Sequence, residues 1–312
     1  MSDRSDQSAD RRLAQHERGR PTCPAELAAV LEAARLVCAE VQPVSDARRT
    51  RPTTFRLVCT NGRVLKAQIL PDAEGAARVE HLRGLLDVPE LPRFVARAER
   101  ALLSEWIEGQ PLTAASITRD QLRACGALLA RVHRVPLPAE DRTRPANRVL
   151  ARDAKLREDL ARLVEAQRLG PDEAQCALDY AAAHKPVHFS IGIEHGDFCA
   201  ANLVLDASGT VWSVDNETLR IDAHDHDLGR TWYRWPLQRA EREAFFAGYA
   251  HHRPPDSFFA HFPYWAITAT VGGAAFRLRQ WTAGAEVSVK RLRELLRALQ
   301  SGASLEAAAF DV

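Results

Sequence analysis

Three oxygen-bearing side chains in the second half of the chain have a spacing that could do chemistry. Asp197 precedes Asn202 by five residues, and Asp215 lies at the end of the strand-like run TVWSVD. The turn-forming residues at 206–209 predict a hairpin between them, so the three side chains can converge on one point. Phosphoryl transfer needs a carboxylate beside the attacking hydroxyl, and an amide oxygen with a second carboxylate to hold Mg²⁺.

An Asp followed five residues later by Asn is a weak signal by itself, because both residues are common in loops. The alternative interpretation is a capped surface hairpin. The preceding His195-Gly196 pair, and a second aspartate eighteen residues after Asp197, favour a catalytic loop.

With the loop HGDFCAAN in place, the chain resembles the aminoglycoside phosphotransferase and choline kinase group of small-molecule kinases, which are relatives of the protein kinases. The resemblance extends roughly over residues 45–279. It implies that Asp197 is the catalytic base and that Asn202 and Asp215 bind Mg²⁺. The nucleotide would be ATP or GTP, and the acceptor would be a hydroxyl of a small molecule.

The same resemblance assigns supporting roles to His195, Glu217 and Asp227. Asp227 matches a family aspartate that braces the catalytic loop. Glu217 stands in Asp-Asn-Glu, which is closer to the Asp-x-Glu of choline kinases than to the Asp-Phe-Gly of protein kinases. It could contact metal or substrate.

Lys66 is a candidate for binding the nucleotide phosphates. It lies on the second of two predicted strands, 54–59 and 63–70, which the hairpin signal Asn61-Gly62 joins. Spacing alone would also fit a solvated lysine. Glu80, on a helix predicted over 76–86, could pair with Lys66 and orient it, although Glu74 and Arg78 leave the exact carboxylate open.

Two further segments are predicted to contact the nucleotide. The segment 45–53 lies where the family has its phosphate-covering loop, but it contains no glycine. Arg48, Arg49 and Arg51 could supply charge there, or form a solvated basic loop. After a strand predicted over 100–106, Glu105 and Ile107 occupy the position of the family hinge, whose backbone hydrogen-bonds adenine.

We therefore expect a two-lobed, protein-kinase-like α+β fold. A disordered tail spans 1–22, an N-lobe with a small antiparallel sheet spans 23–108, and a mainly helical C-lobe spans 109–312. Apolar spacing at Leu27, Val30, Leu31, Ala34 and Cys38 predicts the first helix. Helices are also expected at 118–135, 151–169, 171–182, 241–250 and around 292–299, with a proline-rich loop at 136–147. His133 is expected to pack or cap a helix.

Composition limits the choice of partner. The chain has 312 residues, 46% of them hydrophobic, and a formal net charge of +1, which gives no drive toward nucleic acid or an anionic membrane. There is no membrane-spanning run or signal-peptide core, so we expect a cytoplasmic protein. Six scattered cysteines indicate neither a zinc site nor a disulfide framework.

Two other functions fit parts of the sequence. The run His224-Asp225-His226-Asp227 could indicate a metal-dependent phosphohydrolase. The glycine-free segment could indicate a catalytically inactive kinase fold that binds a nucleotide or a partner. Aromatic residues clustered in 245–265 favour a neutral hydroxylated acceptor if some of them line the acceptor pocket.

Overall fold

The computed structural model describes residues 24–44, 53–113, 116–142, 145–280 and 282–312. The predicted tail and most of the glycine-free segment, including its three arginines, lie outside these ranges. Of the described residues, those up to Glu80 and Arg93–Trp106 form one compact unit. His81–Pro92 and Ile107–Val312 form a second unit, which therefore includes a short piece of chain from before Gly109.

The first unit is built on a five-stranded sheet with the order β1-β2-β3-β5-β4, in which all neighbours are antiparallel. The strands are β1 (Cys38–Pro43), β2 (Thr54–Cys59), β3 (Val64–Ile69), β4 (Phe94–Ala98) and β5 (Ala101–Glu105). Phe55 and Leu57 alternate with more exposed residues, so one face of β2 packs in the core with helix α1 (Ala25–Ala33). The hairpin expected at Asn61-Gly62 is present, and Gly62 has a φ of 82°.

The first helix is shorter than its apolar spacing predicts. It ends at Ala33, and Cys38 begins strand β1 and pairs with Cys59. The prediction that Cys38 lies on the helix is therefore wrong. The β1–β2 ladder, which forms only in the folded sheet, outweighs the local helical spacing. Helix α2 (Ala73–Leu85) forms close to its predicted position.

The second unit is mainly helical. Its helices are α3 (Arg119–Arg134), α4 (Pro145–Glu165), α5 (Pro171–Ala183), α6 (His224–Arg234), α7 (Arg239–Ala250), α8 (Asp256–Ala260), α9 (Phe262–Gln280), α10 (Thr282–Gln300) and α11 (Leu305–Asp311). Helix α4 begins inside the segment that we expected to be a proline-rich loop, because proline fits the first turn of a helix. Among the described residues, every helix is too short or too polar to span a bilayer.

Short antiparallel strands connect the helices of the second unit. Strands β7 (Ile191–Glu194) and β10 (Arg220–Ala223) form one pair, and β6 (Gln110–Pro111), β8 (Leu203–Leu205) and β9 (Val211–Ser213) form a three-stranded sheet. The expected α+β class is confirmed. The loops between these strands carry the residues that the sequence singles out.

Candidate active site

The loop that carries Asp197 connects β7 to β8. It turns at Gly196, whose φ of 78° lies in the left-handed region, and a Cβ there would lie 2.8 Å from the carbonyl oxygen of Thr218. The Thr218 hydroxyl donates to the carbonyl oxygen of His195 at 2.7 Å. Both the backbone conformation and this close approach therefore require glycine at 196.

The carboxylate of Asp227 holds the start of the loop through hydrogen bonds from its backbone. This carboxylate accepts the backbone N–H of His195 at 2.6 Å and that of Gly196 at 2.9 Å. The ring of His133 contacts the same carboxylate through Nε2 at 3.0 Å, and His133 Nδ1 lies 2.7 Å from the Tyr249 hydroxyl. Since Asp227 and His133 are fully buried side chains, this chain of contacts fixes the loop to helices α3 and α7.

Burial sets the protonation of this group. It raises the pKa of Asp227 to about 6 and lowers the pKa of His133 to about 3. At neutral pH the carboxylate is therefore ionised and the imidazole is neutral. An ionised Asp227 can only accept hydrogen bonds, so His133 donates to it from Nε2. His133 Nδ1 then accepts a hydrogen bond from the Tyr249 hydroxyl.

His195 is neutral as well, because burial lowers its pKa. The backbone N–H of Asp197 donates to His195 Nδ1 at 3.3 Å, so the proton lies on Nε2 and points to the Ser213 hydroxyl 2.7 Å away. The imidazole therefore links the catalytic loop to strand β9. This contact gives the expected supporting residue a definite position, and its supporting role stays a prediction.

Asp197 and Asn202 lie side by side. The Asn202 amide nitrogen donates to the Asp197 carbonyl at 2.8 Å and to Asp197 Oδ2 at 3.1 Å. The amide of Asn202 is oriented by these two bonds, and its carbonyl oxygen is directed to neither. The loop thus brings together a carboxylate and an amide oxygen, as the spacing predicts.

Two arginines of helix α6 reach the same aspartate. Arg234 Nη1 lies 2.9 Å from Asp197 Oδ1, and Arg230 Nη2 lies 3.7 Å from the same oxygen. The sequence analysis did not select either residue. Their separation of four residues, on a segment that follows Asp227, was the available signal, but it became visible only once the segment was known to be helical.

Asp215 follows strand β9 by two residues. The β8–β9 hairpin is closed by Asp206, which accepts the backbone N–H groups of Ser208 at 2.8 Å and Thr210 at 2.9 Å. The backbone N–H of Val214 donates to the carbonyl of Asn202 at 3.0 Å. Asp215 is therefore next in the chain to a residue hydrogen-bonded to Asn202, and both Asp215 and Glu217 are half-buried.

A comparison with known protein families identifies the family of this protein. The sequence profile of the phosphotransferase enzyme family matches residues 76–259, more than half of the chain. The chain belongs to this family. It is a small-molecule kinase, as the resemblance predicts. A comparison with curated proteins gives no match.

Solved structures with the same fold include kinases of two kinds. A choline kinase from Cryptosporidium parvum is 13% identical, with a TM-score of 0.60 over 87% of this chain and 93% of that chain. A choline kinase from Streptococcus pneumoniae is 12% identical, with a TM-score of 0.62 over 85% and 96%. An aminoglycoside phosphotransferase from Alicyclobacillus acidocaldarius is 17% identical, with a TM-score of 0.55 over 89% and 98%.

The residues of this phosphotransferase that are predicted to bind the nucleotide lie in the first unit or at its boundary. Lys66 is 8% exposed on β3, between β2 and β5. The side chain of Glu80 accepts a hydrogen bond from Arg97 Nε at 2.5 Å, and that of Glu105 accepts one from Arg93 Nε at 2.9 Å. Ile107 is the first residue of the long segment of the second unit. Their roles in nucleotide binding stay predictions.

The four residues at 224–227 form the first turn of helix α6 and point in different directions. His224 stacks on His133 with ring centroids 4.5 Å apart, Asp225 accepts a hydrogen bond from Ser257 at 2.7 Å, and His226 contacts Glu194 at 3.2 Å. Successive helical residues point about 100° apart. They do not form the shared metal site that a phosphohydrolase would need.

One group of metal-type ligands occurs among the described residues of the phosphotransferase. Atoms of Glu194, Asp222 and His226 lie within 4.8 Å of one another. Arg220 pairs with Glu194, and Arg152 lies 2.6 Å from Asp222, so each carboxylate already has a guanidinium partner. This charge balance indicates an ion-pair network beneath the catalytic loop, at the β7–β10 pair.

The aromatic residues at 245–265, of which only some were expected to line the acceptor pocket, are mostly core residues. Seven of the eight are buried, namely Phe245, Phe246, Tyr249, Phe258, Phe262, Tyr264 and Trp265. Their rings pack on one another, as Phe246 does on Phe258 at 5.6 Å. Few of these rings remain to line an acceptor pocket, so they give little support to a neutral acceptor, which stays a prediction.

Proposed function

We propose that this protein transfers the γ-phosphoryl group of ATP, or of GTP, to a hydroxyl of a small molecule. The acceptor oxygen forms a bond to the γ-phosphorus, the bond from that phosphorus to the β-phosphate oxygen breaks, and the hydroxyl proton passes to Asp197. The observation that supports this best is the pair of hydrogen bonds from the Asn202 amide to Asp197, because they orient the base and a metal-type ligand together.

The donor set fits a magnesium ion. Asn202 offers a carbonyl oxygen because its amide nitrogen is occupied by Asp197, and Asp215 offers a carboxylate. Amide and carboxylate oxygens are the ligands that Mg²⁺ takes from proteins. When bound by these two residues, the ion would neutralise charge on the transferred phosphate oxygens. Glu217 is a further carboxylate for metal or acceptor.

In the first unit, Lys66 is proposed to bind the donor phosphates, with Glu80 as the acid that orients it. The backbone at Glu105 and Ile107 is proposed to bind the nucleotide base. Lys66 stands on β3, the middle strand of the five-stranded sheet, and phosphate oxygens are anionic partners that a lysine ammonium binds. Asp197, Asn202 and Asp215 then complete the transfer machinery.

A kinase fold that binds a nucleotide without catalysis is the second candidate. The ion pair between Asp197 Oδ1 and Arg234 favours this candidate. Arg234 occupies a position at the carboxylate that an acceptor hydroxyl would need in catalysis. The two candidates differ in nucleotide turnover. A catalyst converts ATP to ADP in proportion to phosphorylated acceptor, and a binding protein does not.

The test is Asp197→Asn in an assay with ATP, Mg²⁺ and a panel of hydroxylated metabolites, with mass detection of phosphorylated products. Removing the base should lower kcat/KM by about 100- to 10,000-fold while nucleotide binding stays intact. Asp87→Asn, which changes an exposed aspartate of the same unit, is the matched control. Turnover by Asp197→Asn within threefold of the unmodified enzyme would remove Asp197 from the mechanism.

A further inference from the structure

Helix α6 directs two guanidinium groups at the catalytic aspartate. Arg230 and Arg234 are four residues apart, so their side chains lie on the same face of the helix. Both approach Asp197 Oδ1, at 3.7 and 2.9 Å, and each side chain keeps 24% of its surface exposed. Part of each arginine therefore remains accessible to solvent.

The two arginines share one close carboxylate. In the described part of the chain their ion pairs within 4 Å are both with Asp197, while Glu194 and Asp227 attract Arg230 from further away. Arg230 Nε is buried without a hydrogen-bond acceptor. Arg234 also contacts the Cys199 sulfur at 3.3 Å, but burial raises the pKa of that thiol, so it adds no negative charge.

The proposed reaction would draw this shared carboxylate away from the arginines. When Asp197 turns to accept the acceptor hydroxyl, Arg234 loses its 2.9 Å partner, and a partly buried guanidinium is left without an anion. A carboxylate or phosphate oxygen on the acceptor would replace that partner, because its geometry matches the guanidinium fork. A cationic group in the same place would be repelled by both arginines.

We propose that the acceptor is a hydroxylated small molecule with an anionic substituent a few bonds from the reacting hydroxyl, and that Arg234 and Arg230 bind this substituent. The inference rests on the proposed phosphotransfer and names its substrate class. It assigns to these arginines a specificity role that the choline- and aminoglycoside-directed relatives would not need.

The experiment uses matched sets of acceptors that differ only in one substituent. One set consists of gluconate, glucitol and glucamine, which carry a carboxylate, an alcohol and an amine on the same polyol, and glucitol phosphate adds the phosphate form. Corresponding sets of three-carbon and aromatic hydroxyl compounds widen the search. Initial rates with ATP and Mg²⁺ are compared with the thermal shift that each compound produces.

We expect turnover or stabilisation by anionic members, with neutral members weaker and amines weakest. Arg234→Ala should lower the preference for the anionic over the neutral acceptor, taken as the ratio of their kcat/KM values, by about 10- to 100-fold, the usual loss for a hydrogen bond to a charged group. Arg234→Glu should reverse the preference between carboxylate and amine, which a purely structural role would not do. Arg157→Ala, at an exposed arginine of helix α4, is the control.

The outcomes separate this inference from the proposed function. Turnover confined to amines or neutral compounds, or anionic turnover unchanged in Arg234→Ala, would overturn the inference and leave phosphotransfer standing. If no compound of any class led to consumption of ATP, that result would count against phosphotransfer. Anion-induced stabilisation that Arg234→Ala abolishes would still support the arginine site in that case, and its absence would refute the site.

Discussion

Asp227 illustrates how a single buried carboxylate positions the loop that carries Asp197. It accepts two consecutive backbone N–H groups, from His195 and Gly196, and these are the residues immediately before Asp197. A carboxylate can accept from several donors at once, whereas an amide presents only one acceptor oxygen. The charge and the shape of Asp227 are therefore both needed beneath the loop.

Asp227→Asn should consequently lose activity through positioning. The new amide nitrogen would face a backbone N–H, leaving a buried donor unsatisfied, which costs about 1–3 kcal/mol of unfolding free energy. We expect kcat to fall by about 10-fold or more with KM little changed, as measured by steady-state kinetics and urea denaturation.

Asp225→Asn is the matched control, because Asp225 lies on the same helical turn and accepts a hydrogen bond from Ser257. It should retain kcat. Equal kinetics for the two variants would show that the loop does not depend on Asp227.

At the scale of elements, helices α3 and α7 approach each other through glycine. A Cβ at Gly126 would lie 1.9 Å from the carbonyl oxygen of Phe245, and one at Gly248 would lie 2.0 Å from that of Arg123. These two helices also carry His133 and Tyr249, which complete the contacts of Asp227. The close packing therefore sets the position of the residues that support the loop.

Gly126→Ala should separate these helices. Overpacking of this kind usually costs about 1–3 kcal/mol, and the clash here is with backbone, which cannot move aside alone. Chemical denaturation should show this loss, and kcat should fall as His133 shifts.

Gly272→Ala provides the control on helix α9, where a Cβ would meet nothing within 4 Å. Alanine there should stabilise the protein by up to about 1 kcal/mol. A Gly126→Ala variant as stable as the unmodified protein would contradict the close approach of α3 and α7.

At the scale of the whole molecule, buried histidines make stability depend on pH. Burial lowers the pKa of His133 to about 3 and that of His226 to about 4, and it lowers the pKa of His224 well below its ordinary value. Both ring nitrogens of His224 are buried without a hydrogen-bond partner in the described structure. Protonating any of the three would place a charge in the core.

Stability should therefore fall as the pH drops from 7 to 5. The unfolded chain takes up protons near pH 6.5 and the folded chain does not, so each histidine costs on the order of 2 kcal/mol at pH 5. Asp227 acts in the opposite direction, because its folded pKa of about 6 lies above its unfolded value. Its protonation adds about 1 kcal/mol to the free energy of unfolding as the pH drops over the same range.

Melting temperatures measured from pH 8 to pH 5 would check the sign of this effect. His188→Gln, at an exposed histidine, should leave the profile unchanged. A melting temperature that is constant, or that rises toward pH 5, would show that the buried histidines do not resist protonation.

Much of the fold followed from local signals. The hairpin at Asn61-Gly62, the predicted helices of the second unit and the α+β class depend on turn chemistry and apolar periodicity, which act between neighbouring residues. The strand at Cys38–Pro43 and the helix at His224–Arg234 did not follow. Both depend on partners distant in the chain: strand β2 for the first, and Glu194 and His133 for the second.

The sequence by itself determined the spacing on which the proposed chemistry of the site depends, because the spacing of Asp197, Asn202 and Asp215 is a short-range property of one loop and one hairpin. Only the tertiary structure decided the surroundings of Asp197. Arg230 and Arg234 reach it from a helix about thirty residues further along, and packing decides that seven of the eight aromatic residues at 245–265 are buried. The charge around a catalytic group is a sum over elements that packing brings together, and no local pattern encodes that sum.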